Sequence, residues 1–456
     1  MKKLTETRPN LSFAVLILGL ASASFATAAD LHVPADHPTI QAAVDAAQTS
    51  DTIRIASGVY TNQVQIISKK LTLIGQPGTI LRATEQLASL PVWRGHVPIM
   101  AIHSSEVTVR GLTFEGERLA GHFVGPGVGN LVGIYFRESS GTVENCAFYG
   151  FRESTPGPKG TDPLVFVRVA VDATEVEFRV VGSTFADNYG GIFCLGSATP
   201  QTVNVTVENN TIVCLGPLAN DDNYSGIFIR EGVGGRIAGN TISGYSYVGT
   251  KAAFPIGFGI LAANEANSPA FGILQHLEIE GNTLRDNQVH IALIKGDGSV
   301  VRNNRFQGTA PGIIPTGLGV TGNGVVIANN QFEKMNEGIR LMGNDPMFGT
   351  LLGIAVNAQV TGNRFCEVTT PVTVQPLASA TPEGTLLCPF PAPVLDIASA
   401  VLVSWPEVEA GYMVETAPAP DGPWSPSDAT LFLHDGRSSI AVPTAGANRY
   451  FRLRKL

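Results

Sequence analysis

The chain has 456 residues, of which 50 are glycine and 15 % are charged, and its formal net charge is −8. Excess glycine with low charge argues against coiled coils and helical solenoids, which are rich in Ala, Glu, Lys and Leu, and the lack of a Gly-X-Y period excludes collagen. An acidic chain without a basic run is a poor nucleic-acid binder, because phosphate neutralisation supplies most of that affinity.

Residues 1–29 read as a secretory signal. Lys2, Lys3 and Arg8 form a positive start, Leu11 to Leu20 an apolar stretch, and Ala26-Thr27-Ala28 a small-x-small cleavage site. The stretch is shorter than the ~20 residues a spanning helix needs, and no later segment is long and apolar enough to span. The expectation is a monomer that is secreted, periplasmic or on the cell surface. Export permits disulfides, but five cysteines do not make a disulfide scaffold. Cys366 and Cys388 can close the end of the main domain. Cys194, on the same alternating face as Ile192, reads as buried filler.

From Pro38 to Gln48, Ile40, Ala43, Val44 and Ala47 fall at helical spacing on one face. Thr39 or Asp36 can cap this helix, with Pro38 in its first turn. Two strands follow, at Val64-Gln65-Ile66 and Leu71 to Ile74. A unit of apolar-x-(Gly/Asn)-(Asn/other)-x-apolar then recurs, as in Val109 to Phe114, Val143 to Phe148, Val207 to Ile212, Ile237 to Ile242, Ile279 to Leu284, Val301 to Phe306, Ile327 to Phe332 and Val360 to Phe365. A second short strand follows most units after a turn, beginning at Gly133, Gly191, Gly226, Gly259, His290 and Gly338. Period-two alternation between Gly and Asn bounds means short strands. A fixed repeat of such strands predicts an all-β fold, a parallel β-helix whose inward side chains stack into one core, with the helix covering its first rung. Asn130, Asn188, Asn223 and Asn287, each three residues before a second strand, are expected to stack as an amide ladder.

The run His32 to Ala47, with Asp51-Thr52-Ile53, Gly58-Val59-Tyr60 and Leu71-Thr72-Leu73-Ile74-Gly75, resembles the opening of secreted right-handed β-helix proteins. That group includes pectinesterases, pectate-lyase-like proteins and the NosD-like repeat family. The resemblance covers about 30–390 and implies a right-handed parallel β-helix solenoid over 30–390. It does not carry an activity. The paired aspartates of pectinesterases, the Asn-Thr-Asp, Gly-His-Gly and Arg-Ile-Lys of polygalacturonases, and the Pro-x-x-Arg strand of pectate lyases are all missing. NosD-like metal handling finds no Cys/His/Met cluster.

A proline-dense stretch ends the repeat near 376–393. Residues 391–456 then read as a small antiparallel β-sandwich, similar to the fibronectin-type-III-like tails of exported proteins. Trp405 and Trp424 are either its core or a carbohydrate platform.

Candidate chemistry lies at strand ends and in insertions. Arg137-Glu138 and Arg230-Glu231 close equivalent strands with one strand between them, which puts them ~10 Å apart on one face. An arginine there can clamp a uronate carboxylate and a glutamate can transfer protons; the alternative is a charge pair closing each strand. Asp187, Asp221 and Asp222 precede two strands in register and form a candidate calcium set, or turn residues. The insertions Glu115 to Leu131 and Gly150 to Leu164, with Glu85 to Pro98, bring Trp93, Arg118, His122 and Arg152 as candidate sugar contacts. The expected function is binding, with cleavage by a lyase or hydrolase as a further step, of an extracellular polysaccharide; the alternative is a non-catalytic surface or adhesion scaffold.

Overall fold

The structure, a computed structural model, describes residues 28–90, 95–123, 130–152, 165–168, 176–188, 190–196, 203–214, 224–246, 257–263, 274, 276–308, 316–344 and 352–388, and tail segments 400–406, 412–427, 431–434, 437–443 and 450–455. The leader therefore lies outside the described residues, apart from its last two.

The chain winds into a right-handed parallel β-helix with three ladders. The first ladder stacks 13 strands, from Asp30–Val33 to Ala380–Glu383. The second runs from Gly58–Tyr60 to Leu386–Leu387. The third begins at Val64–Ile67 and ends in the long strand Arg364–Val374, which serves both of the last two ladders. All neighbours pair in parallel, so each side chain sits above its equivalent on the rung before, at the ~4.8 Å strand spacing.

That spacing stacks like on like. Inside the second ladder the rings of Phe114, Phe148 and Phe185 lie 4.9 and 4.8 Å apart, and those of Phe306, Phe332 and Phe365 lie 4.6 and 4.8 Å apart. Ile212, Ile242 and Leu284 continue the same column between them. All are buried. The Ile40–Ala46 helix covers the first rungs, with the Thr39 side chain accepting from Ala42 N–H as its N-cap. Pro38 lies before this cap, and Asp36 accepts from His32 N–H at 2.8 Å instead.

The corner between the first and second ladders has two residues at every rung from Gly111-Leu112 onward. The first is left-handed: Gly239 has φ 64°, Asn209 φ 56° and Asn303 φ 57°. Only Gly and Asn hold this place from Gly111 to Gly384, the two residues that visit this region at least cost. The second residue is a buried asparagine at six consecutive rungs: Asn210, Asn240, Asn282, Asn304, Asn330 and Asn363. The Nδ2 of Asn210 donates to Asn240 Oδ1 and to Val180 O, both at 2.9 Å, while its own N–H donates to the same Oδ1 at 3.0 Å. Asn240, Asn282, Asn304 and Asn330 repeat all three bonds. This is the amide ladder, and it stands one corner away from where the sequence placed it. Asn188 and Asn287 are buried but each bonds backbone of the rung before, at Phe148 O and Ile242 O. Asn130 donates its N–H to His96 Nδ1, and Asn223 lies outside the described residues.

Other glycines serve close approach rather than a turn. A Cβ at Gly226 would stand 2.8 Å from Gly259 O, closer than side chains tolerate. Cys366 and Cys388 are bridged, Cα to Cα 4.8 Å, and tie the last second-ladder strands together. Cys146, Cys194 and Cys214 are buried thiols, and burial pushes Cys146 up to about 11.

The tail forms two three-stranded antiparallel sheets. Trp405 packs with Val414, Ile440 and Phe451 in their small core. Trp424 instead lies half-buried, with the Arg452 guanidinium 4.5 Å from its ring centre.

Asn282→Ala is expected to cost about 3 kcal/mol by urea unfolding. It removes the acceptor of the Asn240 N–H and of one of the two Asn240 Nδ2 hydrogens, and the side-chain donor to Ile237 O; a buried group whose bond is lost costs ~1–3 kcal/mol. A second prediction concerns His290, fully buried in the third ladder beside Phe306 with no described partner at Nε2. Burial lowers its pKa from 6.5 to about 3. The unfolded chain therefore takes up this proton first, so stability is intact above about pH 6.5 and declines as pH falls towards 3. Between pH 7 and 4.5 the protein should lose about 2–3 kcal/mol more than a His290→Asn variant by the same measurement.

Candidate functional site

From Gly111 onward the first-to-second corner keeps two residues, whereas the other two corners vary. Residues 116–130, 150–164, 215–223, 244–256 and 308–315 join the second ladder to the third, and 169–175, 196–202 and 263–276 join the third to the first. Every long connection of the central rungs therefore borders the third ladder, on one edge or the other. Insertions that collect along one face of a solenoid mark its binding face.

On the outer side of this face one column runs through Ala101, Tyr135, Phe193, Phe228, Leu261, Ala292, Gly319 and Arg340. Its first part is apolar and covered. Leu90, Ala101, Val132, Tyr135, Phe193 and Leu195 form a second hydrophobic cluster outside the helix wall. The His96 ring stands edge-on to Tyr135, centres 5.5 Å apart, and Phe193 meets Phe228 in the same way at 4.8 Å. This strip gives the segment around Leu90 and His96 an apolar seat on the wall, an effect of order ~25 cal/mol per Å² covered.

Next to that column, at the strand ends, stand His103, Arg137, residue 168, Leu195 and Arg230. The strand Val165–Arg168, directly after the predicted insertion Gly150 to Leu164, adds a rung that the repeat pattern does not announce. Arg137 and Arg230 are thus three rungs apart, about 14 Å rather than ~10 Å. Arg230 donates to Glu231 through Nε at 3.2 Å and Nη2 at 3.1 Å, and its guanidinium lies 6.0 Å from the Phe228 ring centre. The Glu231 side chain is 1 % exposed and that of Arg230 12 %, so this pair is a strap inside the wall. Arg137 approaches Glu138 at 3.8 Å and is the more open of the two, 30 % against 18 %.

A third pair of this kind was not picked out from the sequence. Glu337 accepts from the Thr373 hydroxyl at 2.5 Å and contacts Arg340 Nη2 at 2.7 Å. Its side chain is 10 % exposed, whereas that of Arg340 is 42 % exposed. Aligning Gly338-Ile339-Arg340 on Gly226-Ile227-Phe228 would have shown a cation at an outward position held by an aromatic four rungs earlier.

The remaining candidates fall elsewhere. Arg118 donates to Asp187 Oδ2 through Nε at 3.3 Å and Nη2 at 3.2 Å, and Arg152 contacts Oδ1. Asp187, at φ 57°, thus ties three consecutive second-to-third corners together. Two guanidiniums on one carboxylate leave it no charge to offer calcium, and no group of three metal-binding side chains exists among the described residues. His122 sits in the 3-10 turn Ala120–Phe123, its ring against Phe123. Trp93, Asp221 and Asp222 lie outside the described residues.

The first face carries a seam of charge pairs. Arg236 bridges Glu208 and Glu280, and Arg302 binds Glu280 at 2.6 Å. Bonds from Arg302 and Arg236 hold the Glu280 carboxyl below its usual range. A shallow cavity of about 390 Å³ lies over this seam, between Asn209 and Asn303.

Residues 133–314 match the family model described as a right handed beta helix region. Among solved structures the chain is similar to the periplasmic alginate epimerase AlgG, at 11 % identity over 74 % of this chain and 77 % of that one, with TM-score 0.41. It is also similar to the Azotobacter vinelandii mannuronan C-5 epimerase AlgE6 A-module, at 15 % identity over 77 % and 94 %, with TM-score 0.43. A third is the GH136 lacto-N-biosidase from Eubacterium ramulus, at 10 % identity over 75 % and 62 %, with TM-score 0.49. No curated protein matches the chain.

Asp187→Asn tests the corner tie, because Asn keeps the left-handed backbone and removes the charge. Amide exchange in 116–123 and 150–152 should quicken at least several-fold, with the strand Val203–Glu208 unchanged. Equal exchange in both regions would show that the tie holds nothing.

Proposed function

We propose that this protein is exported and binds an extracellular polysaccharide along the outer side of its third ladder. The observation that carries this reading is the confinement of the long connections to the two edges of that face, beside outward arginines each held by its own glutamate. A rigid wall with variable borders and few, oriented polar groups suits a ligand that is itself long, polar and repetitive. Binding is favoured over cleavage, because Glu231 is enclosed and held by Arg230 from the adjacent position. A carboxylate so held is a counter-ion rather than a proton carrier, since a general base must reach the proton it removes. Among the described residues no helix is long and apolar enough to cross a membrane, which accords with an exported protein.

The mature protein should bind at least one member of a panel of uronate and neutral glycans by calorimetry, without new reducing ends or unsaturated products. Arg137→Gln should weaken that binding about tenfold, the loss of one charge-assisted contact. Product release would make the protein a lyase or hydrolase. Binding to no glycan would leave a surface scaffold as the reading.

A further inference from the structure

We propose that Arg340, set by Glu337 and Thr373, is a carboxylate-recognising station at the far end of the third face, so that the ligand is an anionic polysaccharide. This rests on the reading of that face as the polysaccharide surface.

Three features point to it. First, in each of the pairs Arg137–Glu138, Arg230–Glu231 and Arg340–Glu337 the guanidinium is the more exposed member: 30 against 18 %, 12 against 1 %, and 42 against 10 %. The pairs are neutral in sum, yet each turns its positive end outward and its negative end into the wall. In a protein with net charge −8, Arg137 and Arg340 thereby present cations on the outer side of this ladder, while Arg230 stays largely enclosed. Second, Arg340 is the most open of the three, and it is paired to a carboxylate that is itself held in place. Its carboxylate partner is fixed from the other side by the Thr373 hydroxyl on the next rung. With its Nε enclosed, this guanidinium offers its terminal Nη groups as the fork, a geometry that matches a carboxylate. Third, Arg340 occupies the outward column four rungs beyond Phe228, with Leu261, Ala292 and Gly319 between. That stretch, about 19 Å long at the strand spacing, bears no charge, and above Gly319 a Cβ would meet only the Met342 sulfur, at 3.8 Å. An uncharged floor ending in an oriented cation suits a polymer whose acidic groups are met at intervals rather than at every unit.

The test uses uronate hexamers (galacturonate, glucuronate, mannuronate and guluronate) and their carboxyl-reduced neutral counterparts, titrated into the full mature protein, Arg340→Gln and Glu337→Gln. At least one uronate hexamer should bind more tightly than its neutral counterpart. Arg340→Gln should lower that affinity about tenfold and leave the neutral counterpart unaffected. Glu337→Gln keeps the cation but frees it, so it should lower the affinity by a smaller factor, with melting temperatures reported for both variants. Equal binding of charged and neutral hexamers, or equal loss of both in Arg340→Gln, overturns the anionic station and leaves polysaccharide binding standing. Binding of no charged or neutral hexamer, extended to the whole glycan panel, removes both.

Discussion

The structure depends on one repeated contact: the amide of a buried asparagine bonded to the next amide a rung away. Six asparagines from Asn210 to Asn363 form this file. Each Oδ1 from Asn240 onward accepts twice from the rung before, and each Nδ2 reaches backbone. Removing any member leaves buried polar groups with no water to replace it, which is costlier than the bond is favourable. The contact demands that neighbouring rungs stay at strand spacing and in register at that corner. A residue inserted there would break the file, and the left-handed backbone before each member is held by Gly or Asn, the residues that adopt it at least cost.

This constraint decides where the molecule can vary. With the first-to-second corner locked at two residues, length can be added only at the other two corners, and both border the third ladder. The face that stability leaves free is therefore the face available for recognition. The apolar strip at Tyr135 and Phe193 belongs to the same logic, since chain added beside a solenoid needs something to pack on. The arginine–glutamate pairs follow a similar division: the glutamates lie deeper in the wall than their arginines, and Arg137 and Arg340 reach solvent.

Much of the fold was legible because its cause is local. The apolar-x-(Gly/Asn)-(Asn)-x-apolar unit is the corner with its flanking strands, and alternation marks which side chains enter the core. The ladder was placed at the wrong corner because Asn188 and Asn287 are also buried at turns; a turn asparagine that bonds backbone and one that bonds another asparagine look alike in a sequence. The strand Val165–Arg168 was missed because it lacks the leading glycine of its neighbours, and the Arg137–Arg230 separation was underestimated by a rung as a result. The candidate site was less legible. Arg118 and Arg152 look like ligand contacts in loops, and Asp187 like a metal ligand, until the three corners are stacked and they are found on each other.

The sequence by itself determined the all-β solenoid, its capped start and the identity of its corner residues, because these follow from periodicity and from backbone preferences of single residues. Only the tertiary structure decided the register between rungs. Register sets which asparagines touch, which carboxylates are enclosed and that Arg340 shares a column with Phe228, since neighbours across a ladder lie 20 to 42 residues apart in the chain, as between Ile53 and Leu73 or Ile242 and Leu284.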